Sequence, residues 1–299
     1  MQLSVVIITF NEEANIERTL WSVQPLVADG KGEIIVVDSG STDRTIEIAK
    51  SYGAKVFVEE WKGFAAQKNS AIDKATGDWV LSVDADEELE SGTADAIQRL
   101  WFGSVGSPQS EPRSSLLARD TGSLETVDVV MALEEQRQHK PTAQEPQPTT
   151  NGFWLRRKNY FLGRWMRHGG YWPDPKLRLF RRGSGRFEDR AVHEDVKVEG
   201  NTGKLLAGAL IHHSYPTLSD YIEHMNRYSS LGAEMVVAKG KVRFSFSNIV
   251  LRPLFTFIYN YFFRLGFLDG REGLLLHLYH AVYVSWKYSK AWELCRKRQ

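Results

Sequence analysis

The sequence lacks the features that several common protein classes require. It has one cysteine, Cys295, among 299 residues. This excludes an intramolecular disulfide framework and a cysteine-based zinc site, and it fits a reducing compartment. There is no Walker loop, no His-Glu-x-x-His helix and no Gly-x-Gly-x-x-Gly turn, so ATPase, zinc protease and dehydrogenase functions lack support. The N-terminus "MQLSVVIITF" has no basic segment before its apolar run, and we expect no secretory signal.

Long uninterrupted hydrophobic runs are scarce as well. Residues 249–267 are apolar but are interrupted by two arginines and a proline, and residues 273–286 form a run of only 14 residues. A spanning helix needs roughly 20 residues. Because both stretches are aromatic and flanked by Lys and Arg, we interpret them as amphipathic helices lying in a membrane interface. The alternative is that they pack on the rest of the protein with their arginines exposed.

The net charge of +1 hides two basic regions. Residues 151–190 and residues 239–299 each carry eleven Lys or Arg against three acids. Such regions on an acidic remainder indicate phosphates or lipid headgroups as partners, and we expect no nucleic-acid partner. Arg178 and Arg181 lie three residues apart in the first region. On a strand they would face opposite ways, so only one should point into a groove.

The first hundred residues alternate apolar runs with amphipathic segments. The pattern predicts strands at residues 3–9, 33–38, 54–59 and 78–84, and helices at 12–23, 41–53 and 64–77. Continuous apolar strands alternating with helices are typical of a mainly parallel sheet covered on both faces. The fold class is therefore α/β, and such sheets bind ligands beyond the carboxyl ends of their strands. Polar residues follow three of these strands, and we expect them to converge: Thr9, Asn11 and Glu12; Asp38 and Ser39; Asp84 and Asp86.

Five carboxylates crowd the stretch "DADEELE" after the fourth strand. Asp84 and Asp86 lie two residues apart, so both side chains point to the same side of an extended chain. Such a pair can share Mg²⁺ or Mn²⁺, which completes its shell with substrate phosphates, and we predict a metal–diphosphate site. Glu87, Glu88 and Glu90 are interpreted instead as charges that favour the positive N-terminus of the next helix.

The alternation of apolar runs and amphipathic segments does not continue over residues 103–150, which are rich in Ser, Gly, Pro and Gln. We interpret this segment as a mobile insertion. Structure is expected to resume near residue 151, and a long helix is predicted from Leu218. The domain prediction is a catalytic domain at 1–216 and a helical, membrane-associated region at 217–299.

Four ordered motifs carry a resemblance. They are "SVVIITFNEEANIERTLWSV", "EIIVVDSGSTDRTIEIA", "KGFAAQKNSAIDKATGDWVLSVDADEEL" and "VHED". In this order they resemble family 2 glycosyltransferases of the GT-A fold. The stretch "FLGRWMRHGGYWPDPKLRLFRRGSGRFEDRAVHEDV" is similar, more narrowly, to lipopolysaccharide-core glucosyltransferases that extend the inner-core heptose.

The resemblance implies a GT-A nucleotide-binding domain that uses a UDP-sugar donor, Mg²⁺ or Mn²⁺, and a lipid-linked saccharide acceptor. It also implies a peripheral position on the cytoplasmic face of the inner membrane. Asp86 would bind the cation, and His212 is a candidate to approach the metal or the acceptor. The donor pocket would be lined by Thr9, Asn11, Glu12, Asp38, Ser39, Lys68, Asn69 and Asp84.

Sugar transfer to a hydroxyl also needs a general base, and a carboxylate suits that role. The resemblance aligns Glu194 with the base, and Asp195 is its rival. Two alternatives remain: transfer to polyprenyl phosphate, which needs no base, and a non-catalytic nucleotide-sugar-binding protein. A sugar nucleotidyltransferase would need a Gly-rich basic loop after the first strand, which "TFNEEANIER" does not supply.

Overall fold

The computed structural model describes residues 2–102, 150–188, 195–240 and 242–297. Glu194 lies outside these residues, and so does the predicted insertion at 103–150, apart from its last residue.

The N-terminal third has the predicted alternation of strands and helices. Its strands begin and end within a few residues of the predicted limits because their side chains form continuous buried runs, such as Leu3–Thr9. The first helix buries Ile16, Leu20 and Val23, which share one face. The elements are β1 (Leu3–Thr9), α1 (Ile16–Val27), β2 (Gly32–Asp38), α2 (Thr45–Ser51), β3 (Lys55–Val58), α3 (Phe64–Asp73) and β4 (Trp79–Ser82).

The remaining elements extend the sheet and add the C-terminal helices. They are β5 (Glu87–Leu89), α4 (Thr93–Phe102), β6 (Thr150–Phe161), β7 (Arg164–Trp165), β8 (Lys176–Arg181), β9 (Gly185–Phe187), β10 (Val196–Val198), β11 (Asn201–Tyr215), α5 (Leu218–Ala238), α6 (Arg252–Ile258) and α7 (Gly270–Lys297). Helix α6 lies between two π-helical turns, Ser247–Leu251 and Tyr259–Phe263. The long helix predicted from Leu218 is confirmed, and Thr217 and Asp220 cap it reciprocally.

The main sheet has the strand order β3-β2-β1-β4-β8-β6-β11-β5, and β7 pairs with β6. Strands β3, β2, β1 and β4 run parallel. Strand β8 is antiparallel to β4 and β6, and β11 runs parallel to β6. The chain moves outward from β1 to β3 and then returns to place β4 on the other side of β1. The carboxyl ends of β1 and β4 therefore form a topological switch point, where sheets of this kind bind ligands.

Two apolar layers cover the sheet. Leu3, Val5 and Ile7 of β1 pack with the buried face of α1, whereas Val6 of the same strand packs with α3. The alternation follows from the two-residue period of a strand. Helices therefore cover both faces of the sheet, and the ends of its strands remain open to solvent.

The C-terminal helices pack on the sheet through a third cluster. Leu276 of α7 joins Phe161 and Met166, and Tyr221 of α5 meets the Phe161 ring edge-on at 5.3 Å. His168 Nδ1 lies 2.8 Å from the Asp269 carboxylate, which ties the loop after β7 to the start of α7. Over the described residues, no helix has both the length and the apolar content to cross a membrane.

The interpretation of Glu87, Glu88 and Glu90 as helix-start charges is wrong. Residues Glu87–Leu89 form β5, which pairs antiparallel with β11, and α4 begins only at Thr93. Glu87 is fully buried against two arginines, Glu88 contacts His213, and Glu90 pairs with Lys158. A strand partner more than 100 residues away along the chain decides this local structure.

Candidate active site

The predicted convergence of the strand ends occurs at the switch point. A pocket of about 840 Å³ opens there, which is the size of a small-ligand site. Seven of the ten predicted donor or metal residues line it: Thr9, Glu12, Ser39, Lys68, Asp84, Asp86 and His212.

Asp38 and Thr9 organise the turn after β2. Thr9 Oγ1 donates a hydrogen bond of 2.8 Å to Asp38, and the backbone N–H groups of Gly40 and Ser41 donate to the other carboxylate oxygen. Gly40 adopts φ = +91°, which a residue with a Cβ rarely adopts. Asp38 is fully buried in these contacts. Its predicted contact with the base or ribose of the donor stays a prediction, whereas its place in shaping the turn is observed.

Asn11 links the loops that follow β1 and β2. It adopts φ = 53°, its Oδ1 accepts from the Thr42 N–H at 2.8 Å, and its own N–H donates to Ser41. Asn11 does not line the pocket, but its hydrogen bonds connect the two loops beside it. Its neighbour Glu12 does line the pocket, and the Glu12 N–H donates to Thr45 Oγ1.

Negative charge accumulates around Glu12. Burial, together with the charges of Asp86, Asp43 and Asp84, raises the pKa of Glu12 above its ordinary value, although a hydrogen bond from Asn15 opposes the shift. A like-charge neighbourhood of this kind makes a bound cation favourable.

Asp84 is held from both sides by cations. Lys68 Nζ lies 2.7 Å from one carboxylate oxygen and Arg178 Nη2 lies 2.5 Å from the other. Burial alone would raise the pKa of Asp84, but the charges of Arg178 and Lys68 hold it well below its ordinary value. Asp84 is therefore ionised at neutral pH. Arg178 is buried and Arg181 is exposed on the other face of β8, as their three-residue spacing predicted.

Asp86 faces His212 across the pocket, with 3.2 Å between Oδ2 and Nε2. On its other side, His212 Nδ1 lies 2.9 Å from Asn159 Oδ1, and the amide nitrogen of Asn159 donates to Asp174. Ser214 Oγ also lies 2.7 Å from Nδ1. When the proton is on Nδ1 and is donated to the amide oxygen of Asn159, a neutral His212 turns the lone pair of Nε2 toward Asp86. Two acceptors this close repel unless a proton or a metal cation joins them.

This pair fits a divalent cation. A carboxylate and an imidazole whose second nitrogen is fixed by an outer hydrogen bond are ordinary ligands of such ions. No group of three or more His, Cys, Asp or Glu residues suited to a metal occurs in the part of the chain that the structure describes. Asp86 and His212 would thus supply two ligands, and substrate phosphates would complete the shell.

Asn69 and Asp195 do not line this pocket. The Asn69 amide donates to and accepts from the backbone of Phe187 at 2.9 Å, so it fastens α3 to β9. Asp195 lines a smaller pocket that adjoins the first and shares Lys68 and Asp84 with it. Glu194, its neighbour, lies outside the described residues. The choice between the two bases stays a prediction.

The far wall of the main pocket was not predicted from the sequence. It is largely aromatic and comes from α5, from the end of β11, and from the start of α3 with the segment before it. His224 and Tyr228 stack at 4.1 Å, and burial, with the nearby charges of Arg227 and His212, lowers the pKa of His224 to about 4. The residues of this wall are Trp61, Phe64, Tyr215, His224, Arg227 and Tyr228. The four-residue spacing of His224 and Tyr228 was visible in the sequence, but the position of α5 relative to the strand ends was not.

Comparisons with known proteins bear on the family and the fold of the chain. Residues 4–101 match the model of the glycosyl transferase family 2. The lipopolysaccharide core biosynthesis glycosyltransferase LpsC of Rhizobium meliloti is 28% identical over 295 residues, which are 95% of this chain and 89% of the relative. An uncharacterized glycosyltransferase of Rickettsia bellii is 48% identical over 100 residues, a third of either chain.

A solved structure shares the overall fold. The mannosyltransferase PcManGT of Pyrobaculum calidifontis, determined with GDP-Man and Mn²⁺, superposes with a TM-score of 0.51 at 14% identity, covering 97% of this chain and 86% of its own. The predicted GT-A α/β fold is therefore confirmed. Together with the family match, these findings show that residues 4–101 are a glycosyl transferase family 2 domain and that the chain is a glycosyltransferase.

Proposed function

We propose that this glycosyltransferase moves a hexosyl group, expected to be glucose, from a UDP-sugar to a hydroxyl of a lipid-linked glycan such as the lipopolysaccharide core. The observation that supports this function most strongly is a cluster of polar side chains at the switch point, beside Asp195. The cluster consists of Lys68, Asp84, Asp86 and His212. The full-length likeness to a lipopolysaccharide-core enzyme supports the class of acceptor.

Asp86 and His212 would hold Mg²⁺ or Mn²⁺ at the donor diphosphate. Their facing acceptor atoms and the excess negative charge near Glu12 support this assignment. The cation would neutralise the charge that develops on the departing diphosphate. Thr9, Glu12 and Ser39, at the ends of β1 and β2, would contact the nucleoside.

The transfer itself needs one proton movement. Glu194, or else Asp195, takes the proton of the acceptor hydroxyl, and the hydroxyl oxygen attacks the anomeric carbon. The bond between that carbon and the diphosphate oxygen breaks as the new bond forms, and the nucleoside diphosphate leaves with the electron pair. Attack from the face opposite the leaving group inverts the anomeric centre.

The C-terminal helices support a membrane-bound acceptor. Arg264 is half-buried, with its guanidinium against Gly170, and half-buried Arg252 lies over the Tyr288 ring at 5.1 Å. Both arginines thus turn inward. The helices pack on the sheet through Leu276, as the packing alternative expected, but many of their apolar side chains remain exposed. These are Leu251, Leu254, Phe255, Phe262, Phe263, Leu265, Phe267 and Leu268. Exposed apolar side chains in this number are typical of a membrane or protein contact. They would bind the cytoplasmic face of the inner membrane.

Thermal unfolding with a panel of nucleotide-sugars, in Mn²⁺ or in chelator, tests the donor site. A ligand at 100 times its Kd stabilises the folded state by about 2.7 kcal/mol. We expect one UDP-sugar to raise the Tm only with metal, and Asp86→Asn to abolish that increase. Asp73→Asn is the matched control because Asp73 lies on the exposed side of α3, paired with Arg186.

Each result has a clear reading. If UDP-sugars stabilise the protein equally in chelator, the metal assignment fails but the donor class stands. If no nucleotide-sugar binds in either condition, the proposed function fails.

A further inference from the structure

A second, smaller pocket lies beside the donor site, and its lining contains four cations and two carboxylates, Asp84 and Asp195. It measures about 150 Å³ and shares Lys68, Asp84, Arg157 and Tyr228 with the larger pocket. Four cationic side chains line it: Lys68, Arg157, Lys176 and Arg178. Three of them belong to the basic region at residues 151–190, for which the donor site gives no full explanation.

Three carboxylates at or near this pocket are each shared by two cations. Asp84 pairs with Lys68 and Arg178, and Glu87 pairs with Arg157 and Arg178. Asp174 pairs with Arg157 at 2.8 Å and with Lys176 at only 3.4 Å. Because the cations share these carboxylates, their side chains retain N–H groups that can donate hydrogen bonds to a further anion.

Arg178 shows this spare capacity directly. Its side chain is 6% exposed, and its buried Nε–H has no hydrogen-bond partner among the residues that the structure describes. A buried donor without a partner carries a free-energy cost that an incoming acceptor removes. Arginine is also suited to planar or tetrahedral oxyanions, which it binds with two N–H groups at once.

We propose that this pocket binds an oxyanion of the acceptor, a phosphate monoester or a carboxylate next to the hydroxyl that is glycosylated. The volume equals that of about five waters, which accommodates one oxyanion but not a nucleotide. Asp195 forms part of the wall, and a group bound beside a candidate base belongs to the molecule that the base deprotonates. This inference rests on the proposed transfer reaction and adds a requirement on its acceptor.

Inorganic phosphate is the probe that tests it. Isothermal titration would measure its binding to the wild-type protein alone and to the protein saturated with UDP and Mg²⁺. The test variant is Lys176→Met, which keeps the apolar stem of a half-exposed side chain. Lys176→Arg is the conservative rescue, and Arg181→Met is the matched control on the opposite face of the same strand.

The expected result is phosphate binding that UDP and Mg²⁺ leave intact. Lys176→Met should weaken it about tenfold, as the loss of a charge-assisted contact predicts. Lys176→Arg should restore it to within about threefold, and Arg181→Met should change it less than about twofold.

Other results overturn the inference. Displacement of phosphate by UDP and Mg²⁺ would assign the pocket to the donor. Equal effects of Lys176→Met and Arg181→Met would mean an adventitious ion only, and so would the absence of binding to the wild type. The thermal shift with UDP-sugars is measured on the same variants, so loss of donor binding is recognised separately from loss of the oxyanion site.

Discussion

Arg178 and Glu87 form an ion pair of 2.9 Å in which both side chains are almost completely buried. Glu87 also accepts a hydrogen bond from Arg157 at 3.1 Å, so two arginines share this carboxylate beneath the candidate active site. Removing it would leave Arg178 with Asp84 and Arg157 with Asp174, and a buried N–H group of each arginine would lose its acceptor. We expect Glu87→Ala to lower the free energy of unfolding by about 3–5 kcal/mol, measured by denaturant titration.

Glu90→Ala is the control for this prediction. Glu90 is partly exposed, and among the described residues its carboxylate pairs only with Lys158, so its loss should cost less than about 1 kcal/mol. Equal losses for the two variants would show that the buried arginines do not depend on Glu87.

The general base can be identified by single substitutions of the two neighbouring carboxylates. A base that takes a proton in the transition state contributes about 10²–10⁴-fold to the rate. We expect Glu194→Gln to lower kcat by a factor in this range and Asp195→Asn to have the smaller effect, with donor-dependent thermal stabilisation retained in both.

The reverse ranking would identify Asp195 as the base. If both variants keep full activity while Asp86→Asn is inactive, the acceptor is already ionised. That outcome would favour transfer to polyprenyl phosphate.

The exposed aromatic side chains after α6 should anchor the protein to membranes. Phe262 is 53% exposed and Phe263 is 73% exposed. Burying a Phe side chain is worth about 1.5–3 kcal/mol, so the double variant Phe262→Ser/Phe263→Ser should bind at least about 30-fold more weakly. Co-sedimentation with vesicles of phosphatidylglycerol and phosphatidylethanolamine measures the change.

Trp21→Ser is the control, since Trp21 is 71% exposed on α1 rather than on the C-terminal helices. A similar loss of binding in this variant would show non-specific adsorption and would count against the membrane assignment.

Glu33 makes the stability of the folded protein depend on pH in the acidic range. Burial alone would raise the pKa of Glu33, but hydrogen bonds from Lys55, Ser4 and Thr76 lower it from 4.5 to about 2. A carboxylate with a lowered folded-state pKa stabilises the protein above its unfolded pKa, and this stability is lost as the pH falls toward the folded value. Glu33→Gln should therefore cost about 1–2 kcal/mol at pH 7, a figure reduced for solvent screening.

The difference between wild type and Glu33→Gln should shrink between pH 4.5 and pH 2. Urea unfolding at several pH values measures it. A difference that stays constant over this range would mean that the hydrogen bonds, rather than the charge, carry the effect.

Local patterns were sufficient for the first part of the fold. The apolar run at Leu3–Thr9 and the helical period of Ile16, Leu20 and Val23 predicted β1 and α1, because each element buries one set of side chains whose spacing is visible in the sequence. The same reasoning failed at Glu87, which reads as a helix-start charge until the pairing of β5 with β11 is known. Pairing between distant segments has no local periodicity.

The α/β class and the carboxylates that follow β4 were predictable from local patterns, and the order of the motifs indicated the glycosyltransferase family. Tertiary structure decided which of these groups meet. In the folded protein, Asp38 points inward and accepts hydrogen bonds from the turn after β2. Asp86 lies next to His212, and Asp84 forms ion pairs with Lys68 and Arg178. Tertiary structure also brought α5 over the strand ends and enclosed the smaller pocket beside Asp195. The physical reason is that the free energy of these contacts depends on distances between segments, and distance along the chain does not specify them.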